Sequence, residues 1–190
     1  MASSLPKANK GRGASFLLFR LHVRSPAAPS AMPDTATAIH ELVAPERVRV
    51  GLPGAEKETV VDALGDLLKG HAAVNDLSEV REAVWDREGE LSTGVGKGLG
   101  LPHAKTPAVT DTVAAFAITE EPVAFDAIDH EPVQLVFLLV GPKAAKSEHV
   151  RILSRISRLV SRRPMRLELM KAQTPEEVLD VFAEAERGLR

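Results

Sequence analysis

The chain has 190 residues, 44% of them apolar and 26% charged, the proportions of a soluble globular protein built around one core. It contains no cysteine, which excludes disulfides, thiolate metal sites and thiol nucleophiles, and no apolar run near the roughly 20 residues of a membrane span. The net charge of −2 divides into +5 over residues 1–32 (Lys7, Lys10, Arg12, Arg20, Arg24, no acid) and −7 over 33–190, and an acidic body with only six Phe and one Trp argues against nucleic acid and anionic membrane as partners.

Residues 1–38 are rich in Ala, Ser, Pro and Gly and show no sustained period. The run Phe16 to Val23 is short and interrupted by Arg20, so it does not read as a signal peptide. A transit peptide fits the basic composition better. The preferred reading is a disordered or non-native-start extension, with Met32 as the working start and residues 39–190 as the domain.

Arg47-Val48-Arg49-Val50 alternates like a short strand. Lys57 to Lys69 carries Val60, Val61, Leu64, Leu67 and Leu68 at helical spacing, stopped by Gly70. Ser78 reads as the N-cap of a second helix ending near Arg87. A glycine-rich segment, 94–100, leads into Leu101-Pro102-His103. Val113–Ile118 and Val133–Val140 read as strands, the second apolar but for Gln134, as in a central strand. Ser147–Arg162 is an amphipathic helix with Val150, Leu153, Ile156, Leu159 and Val160 on one side. Pro164 suits the first turn of a helix through Lys171, and Thr174-Pro175-Glu176-Glu177 opens a last one ending near Arg187. The expected fold is α/β: a single domain with a mixed sheet flanked by helices on both faces.

The glycine segment resists a nucleotide reading. Gly98 follows Lys97 where a P-loop needs Ser or Thr, and the dinucleotide fingerprint would place its third glycine on Leu99 or Leu101. What remains is glycine at 94, 96, 98 and 100. On a strand this bares one face, open to another backbone or a partner's phosphate, while Val95, Leu99 and Leu101 fill the other. The residues alone leave two readings open: a phosphate-handling His103, or a glycine-rich turn in which His103 is an ordinary loop residue.

Ser92-Thr93-Gly94-Val95-Gly96-Lys97-Gly98-Leu99-Gly100-Leu101-Pro102-His103 resembles the phosphohistidine motif S-T-G-I-G-x-G-I-A-I-P-H of the fructose/mannitol class of phosphotransferase enzyme IIA domains. Arg87-Glu88 matches a pair often found upstream. The resemblance continues through Pro122-Val123-Ala124-Phe125-Asp126-Ala127-Ile128-Asp129, Pro132-Val133 and Ser147-Glu148-His149, covering about residues 39–187. Lys97 and Gly100 depart from the Asn and Ala common at those places.

The resemblance implies that His103 is phosphorylated on Nε2 by an HPr-like carrier, with His149 as a second active-site imidazole. No pair of histidines has zinc-like spacing, so no metal is expected, and no cofactor is expected. Imidazole suits the task because it is neutral near pH 7 and a good leaving group. Arg87 is a candidate for neutralising phosphate charge, and Ser92 and Thr93 are candidate phosphate donors; each has a plainer reading as a solvated arginine or turn cap. His22, His40, His71 and His130 read as solvent-facing. Arg151, Arg155, Arg158 and Arg162 share one helix face, either an ordinary soluble surface or a docking face for an acidic partner.

Enzyme IIB domains of this class carry a phosphorylated cysteine and the permeases span the membrane, so neither is expected within this cysteine-free chain. A free-standing domain with the Asp126-Ala127-Ile128-Asp129 block looks most like the cytoplasmic nitrogen-regulatory (PtsN-like) enzyme IIA proteins. A sugar-specific enzyme IIA serving a separate enzyme IIB is the alternative. A non-catalytic protein-binding module on the same scaffold is the alternative from another class.

Overall fold

Two long strands, buried on both faces over most of their length, organise the protein. A computed structural model describes residues 38–54 and 56–188; except for Ala38, the expected extension over 1–38 lies outside them. Strands β5 (Val113–Val123) and β6 (Val133–Gly141) pair antiparallel with Phe116 opposite Phe137. Strand β1 (Val48–Leu52) joins β5 in parallel. Along the other edge of β6 run β3 (Leu99–Gly100) and β4 (His103–Lys105), end to end and both parallel to it. Strand β2 (Gly94–Gly96) closes the sheet antiparallel to β3.

Among the described residues the six α-helices are α1 (Ile39–Leu42), α2 (Lys57–Asp66), α3 (Leu77–Glu90), α4 (Lys146–Val160), α5 (Arg163–Leu169) and α6 (Pro175–Arg187). They cover both faces, as expected. On one face Phe116, Phe137 and Leu139 pack with Ile152 and Ile156 of α4 and Phe182 of α6. On the other, Ala115, Val136, Leu138 and Val140 meet Val60 and Leu64 of α2 and Val80 and Val84 of α3. Strand β6 is apolar on both sides because both sides are covered. Phe182 stands edge-on to Phe116 and Phe137, with centroids 5.3 and 6.1 Å away.

Local chemistry corrects several expectations. The N-cap of α3 is Asp76, whose carboxylate accepts from the amides of Ser78 and Glu79. Helix α6 starts as read, with Thr174 capping Glu177 N and Pro175 in the first turn. Val150 is 61% exposed and contributes nothing to the core face of α4; Ile152 takes that place.

The glycine row is a hairpin and not one strand. Lys97 and Gly98 adopt φ of +58° and +76°, reversing the chain between β2 and β3. Its bare face is filled from within, by Ala127 against Gly94 and by the Phe125 ring against Gly100. Leu99 and Leu101 are buried as expected, whereas Val95 is largely exposed.

Candidate active site

His103 opens β4 immediately after Pro102, beside Leu139 of β6. Its Nδ1 lies 2.8 Å from the carbonyl oxygen of Leu101. A carbonyl only accepts, so Nδ1 carries the proton and, in the neutral ring, Nε2 holds the lone pair. His103 lines an open cleft of about 620 Å³, with Lys105, Arg87, Lys143 and His149 also on its walls. Burial, aided by the charges of Arg87 and Lys105, lowers the His103 pKa below the ordinary 6.5 despite the opposing Leu101 contact.

His149 sits in the first turn of α4, 2% exposed, its ring centroid 5.8 Å from that of His103 and tilted by 46°. Neither of its ring nitrogens has a hydrogen-bond partner among the described residues. Burial, then the neighbouring His103 and Lys105, pushes its pKa down to about 4. It is therefore a neutral, buried and unsatisfied imidazole. Such a group is costly to keep in a core without a partner.

Arg87 ends up at the same cleft, with Nη1 donating to the Leu91 carbonyl at 3.0 Å. Ser92 and Thr93 do not line it, and their hydroxyls are occupied. Ser92 Oγ donates to the Phe125 carbonyl, and Thr93 Oγ1 donates to the carboxylate of Glu88. These two side chains hold the approach to the hairpin.

Residues matching the description "Phosphoenolpyruvate-dependent sugar phosphotransferase system, EIIA 2" run from 41 to 185. The chain belongs to this enzyme IIA family. It is 38% identical over 148 residues to the fructose-specific EIIA component of Haloferax volcanii, covering 78% of this chain and 96% of that one. The crystal structure of nitrogen regulatory protein IIA-Ntr from Neisseria meningitidis matches with a TM-score of 0.71 at 32% identity, covering 76% of this chain and 98% of its own. A chain in the complex of mannitol enzyme IIA with phosphorylated enzyme IIB from Escherichia coli matches in fold, with a TM-score of 0.64 at 22% identity over 75% of this chain and 97% of that one.

Three supports of the enzyme IIA site escaped sequence reasoning. Lys105 shares the His103 face of β4 by the period of two, a signal available in the sequence. Glu88 is 7% exposed, accepts from Thr93 N and Oγ1, and pairs with Lys57 Nζ at 2.5 Å. Burial acts to raise its pKa, but the hydrogen bonds from Lys57 and Thr93 outweigh this and leave it lowered. Asp129 accepts from Lys97 N at 2.7 Å and Glu131 N at 3.2 Å, so it braces the hairpin turn.

The other histidines and the arginine row divide. His130 is exposed as read. His40 is half-buried, with Nδ1 2.6 Å from Glu186 Oε2, and the half-buried His71 accepts from Ala73 N; neither simply faces solvent. His22 lies outside the described residues. Arg151, Arg158 and Arg162 are exposed, but Arg155 points inward, 3.6 Å from Glu186, which removes it from a common outer stripe.

Proposed function

We propose that Nε2 of His103 accepts a phosphoryl group from the phosphohistidine of an HPr-like carrier and passes it on. The observation that carries this is the Nδ1–H bond to the Leu101 carbonyl, which leaves the Nε2 lone pair free on a cleft residue. In the transfer, the new P–N bond to Nε2 forms as the donor's N–P bond breaks in line. With its other ring nitrogen protonated the donor imidazole leaves neutral, while His103 keeps its Nδ1 proton and becomes a phosphoimidazolium, so no proton changes hands. Such a step needs positioning and charge compensation more than covalent help. Arg87 and Lys105 supply positive charge, and neutral His149 supplies a hydrogen-bond donor to a phosphoryl oxygen.

Incubation of the full chain with labelled phosphoenolpyruvate, enzyme I and HPr tests this. Label on His103, absent from His103→Ala, supports it. A folded chain that takes no label is instead a protein-binding module.

The downstream role is regulatory and nitrogen-related, supported by the likeness to IIA-Ntr over nearly all of that structure. The fructose-specific relative at 38% identity favours a second reading, delivery to a separate enzyme IIB. Rapid discharge of labelled protein by a fructose-type enzyme IIB selects the second, and retention of label selects the first. Either carrier works in the cytoplasm; no described helix is long and apolar enough to cross a membrane.

A further inference from the structure

The buried side-chain atoms without a hydrogen-bond partner among the described residues include both ring nitrogens of His149 and Oγ1 of Thr112. Two of these atoms border one spot. A Cβ built on Gly141 would lie 3.0 Å from His149 Nδ1 and 3.4 Å from Thr112 Oγ1. Gly141 ends β6 opposite Lys105, and Thr112 immediately precedes β5, so the end of the sheet brings all three together beneath the cleft. The Nδ1 edge of the His149 ring therefore faces Gly141 and Thr112, with Nε2 across the ring.

We propose that Thr112 is a positioning residue for His149: no hydrogen bond joins the two directly, and its hydroxyl donates toward Nδ1 through one water at Gly141, holding the ring as the Nε2–H tautomer. The argument is one of proton placement. A neutral imidazole has one proton, and a nitrogen that accepts from a hydroxyl cannot carry it. A carboxylate at position 112 would have the opposite effect, placing the proton on Nδ1 and turning a lone pair toward an anionic phosphoryl group. A hydroxyl can donate, and a side chain on Gly141 would displace whatever bridges the pair. The benefit to phosphotransfer rests on the proposed role of His103; the tautomer itself does not.

The test uses the full chain labelled with ¹⁵N, reading the imidazole nitrogens of His149 by long-range ¹H–¹⁵N correlation at pH 7.5. The expected wild-type spectrum shows a protonated Nε2 and a bare Nδ1. Thr112→Ser keeps it, while Thr112→Val and Gly141→Ala move it toward a tautomer mixture. Phosphorylation by HPr falls about tenfold in Thr112→Val, the worth of one hydrogen bond lost at a buried group, and returns in Thr112→Ser. A wild-type ring protonated on Nδ1 overturns the proposal without any variant, as does a Thr112→Val spectrum in which the His149 nitrogens are unmoved. If the chain takes no phosphate at all while the tautomer responds as described, the carrier reading fails and the positioning of His149 stands.

Discussion

Gly94 and Ala127 meet backbone to backbone: a Cβ on the glycine would lie 2.6 Å from the Cα of the alanine. The same face brings Gly100 to the Phe125 ring, where a Cβ would lie 2.9 Å from a ring carbon. The first contact cannot relax without moving main chain, whereas the second can relax by a ring displacement. Gly94→Ala is therefore expected to lower stability by about 1–3 kcal/mol and Gly100→Ala by less, in urea unfolding. Equal losses would show that the two contacts share one mechanical unit.

Stability should fall in mild acid. The ordinary histidine pKa is about 6.5, and burial brings that of His149 to about 4. Its contribution is complete above 6.5. Below that pH the unfolded chain binds a proton that the folded ring refuses, so stability declines as pH drops toward 4, by roughly 3 kcal/mol in all. His103, lowered for the same main reason, adds in the same direction. Chemical unfolding between pH 7.5 and 4.5 should show this slope, flattened in His149→Phe; an unchanged slope in that variant assigns the acid sensitivity elsewhere.

Glu88 and Lys57 form a buried ion pair beside Thr93, with side chains 4% and 12% exposed. Removing the Glu88 charge leaves Lys57 only the exposed carboxylate of Asp126, 3.9 Å away. Glu88→Gln should cost about 3–5 kcal/mol, seen as a lowered thermal midpoint. Thr93→Val should cost less, since it removes one hydrogen bond and leaves the ion pair. If Thr93→Val proves the more damaging, the hydroxyl rather than the ion pair holds the approach to the hairpin.

His103 and His149 should separate kinetically. His103→Gln is expected to accept no phosphate. His149→Phe should still label on His103, slower by on the order of 10². Rapid-quench phosphorylation by HPr measures both; a wild-type rate in His149→Phe would remove the second ring from the reaction.

The layered α/β fold was legible because period and caps agreed along the chain. The apolar run at Val133–Val140 announced a strand covered on both faces, and Thr174-Pro175 announced the last helix. The glycine row misled for a physical reason. A two-residue turn at Lys97-Gly98 alone would switch the phase of a period-two pattern, but the register shift between Gly94 and Gly96 restores it and sets Gly94 opposite Gly100, so this hairpin and a straight strand give the same text. Nothing local signals that Lys97 takes a positive φ, because the brace is Asp129, 32 residues away. Ser92 has the same difficulty, its partner being the carbonyl of Phe125. Val150 fits the core stripe by period, yet the turn that buries His149 swings it into the cleft. The two histidines came from the motif; their juxtaposition came from a sheet edge meeting a helix start, which spacing alone does not specify.

The proton on the His103 ring is placed by a main-chain oxygen two residues away. No side-chain substitution can delete that acceptor, so the identity of the bare ring nitrogen is inherited with the backbone path through Leu101 and Pro102. Sequence drift can retune its surroundings through Arg87, Lys105 and His149, but it can change which nitrogen is left bare only by rerouting the chain.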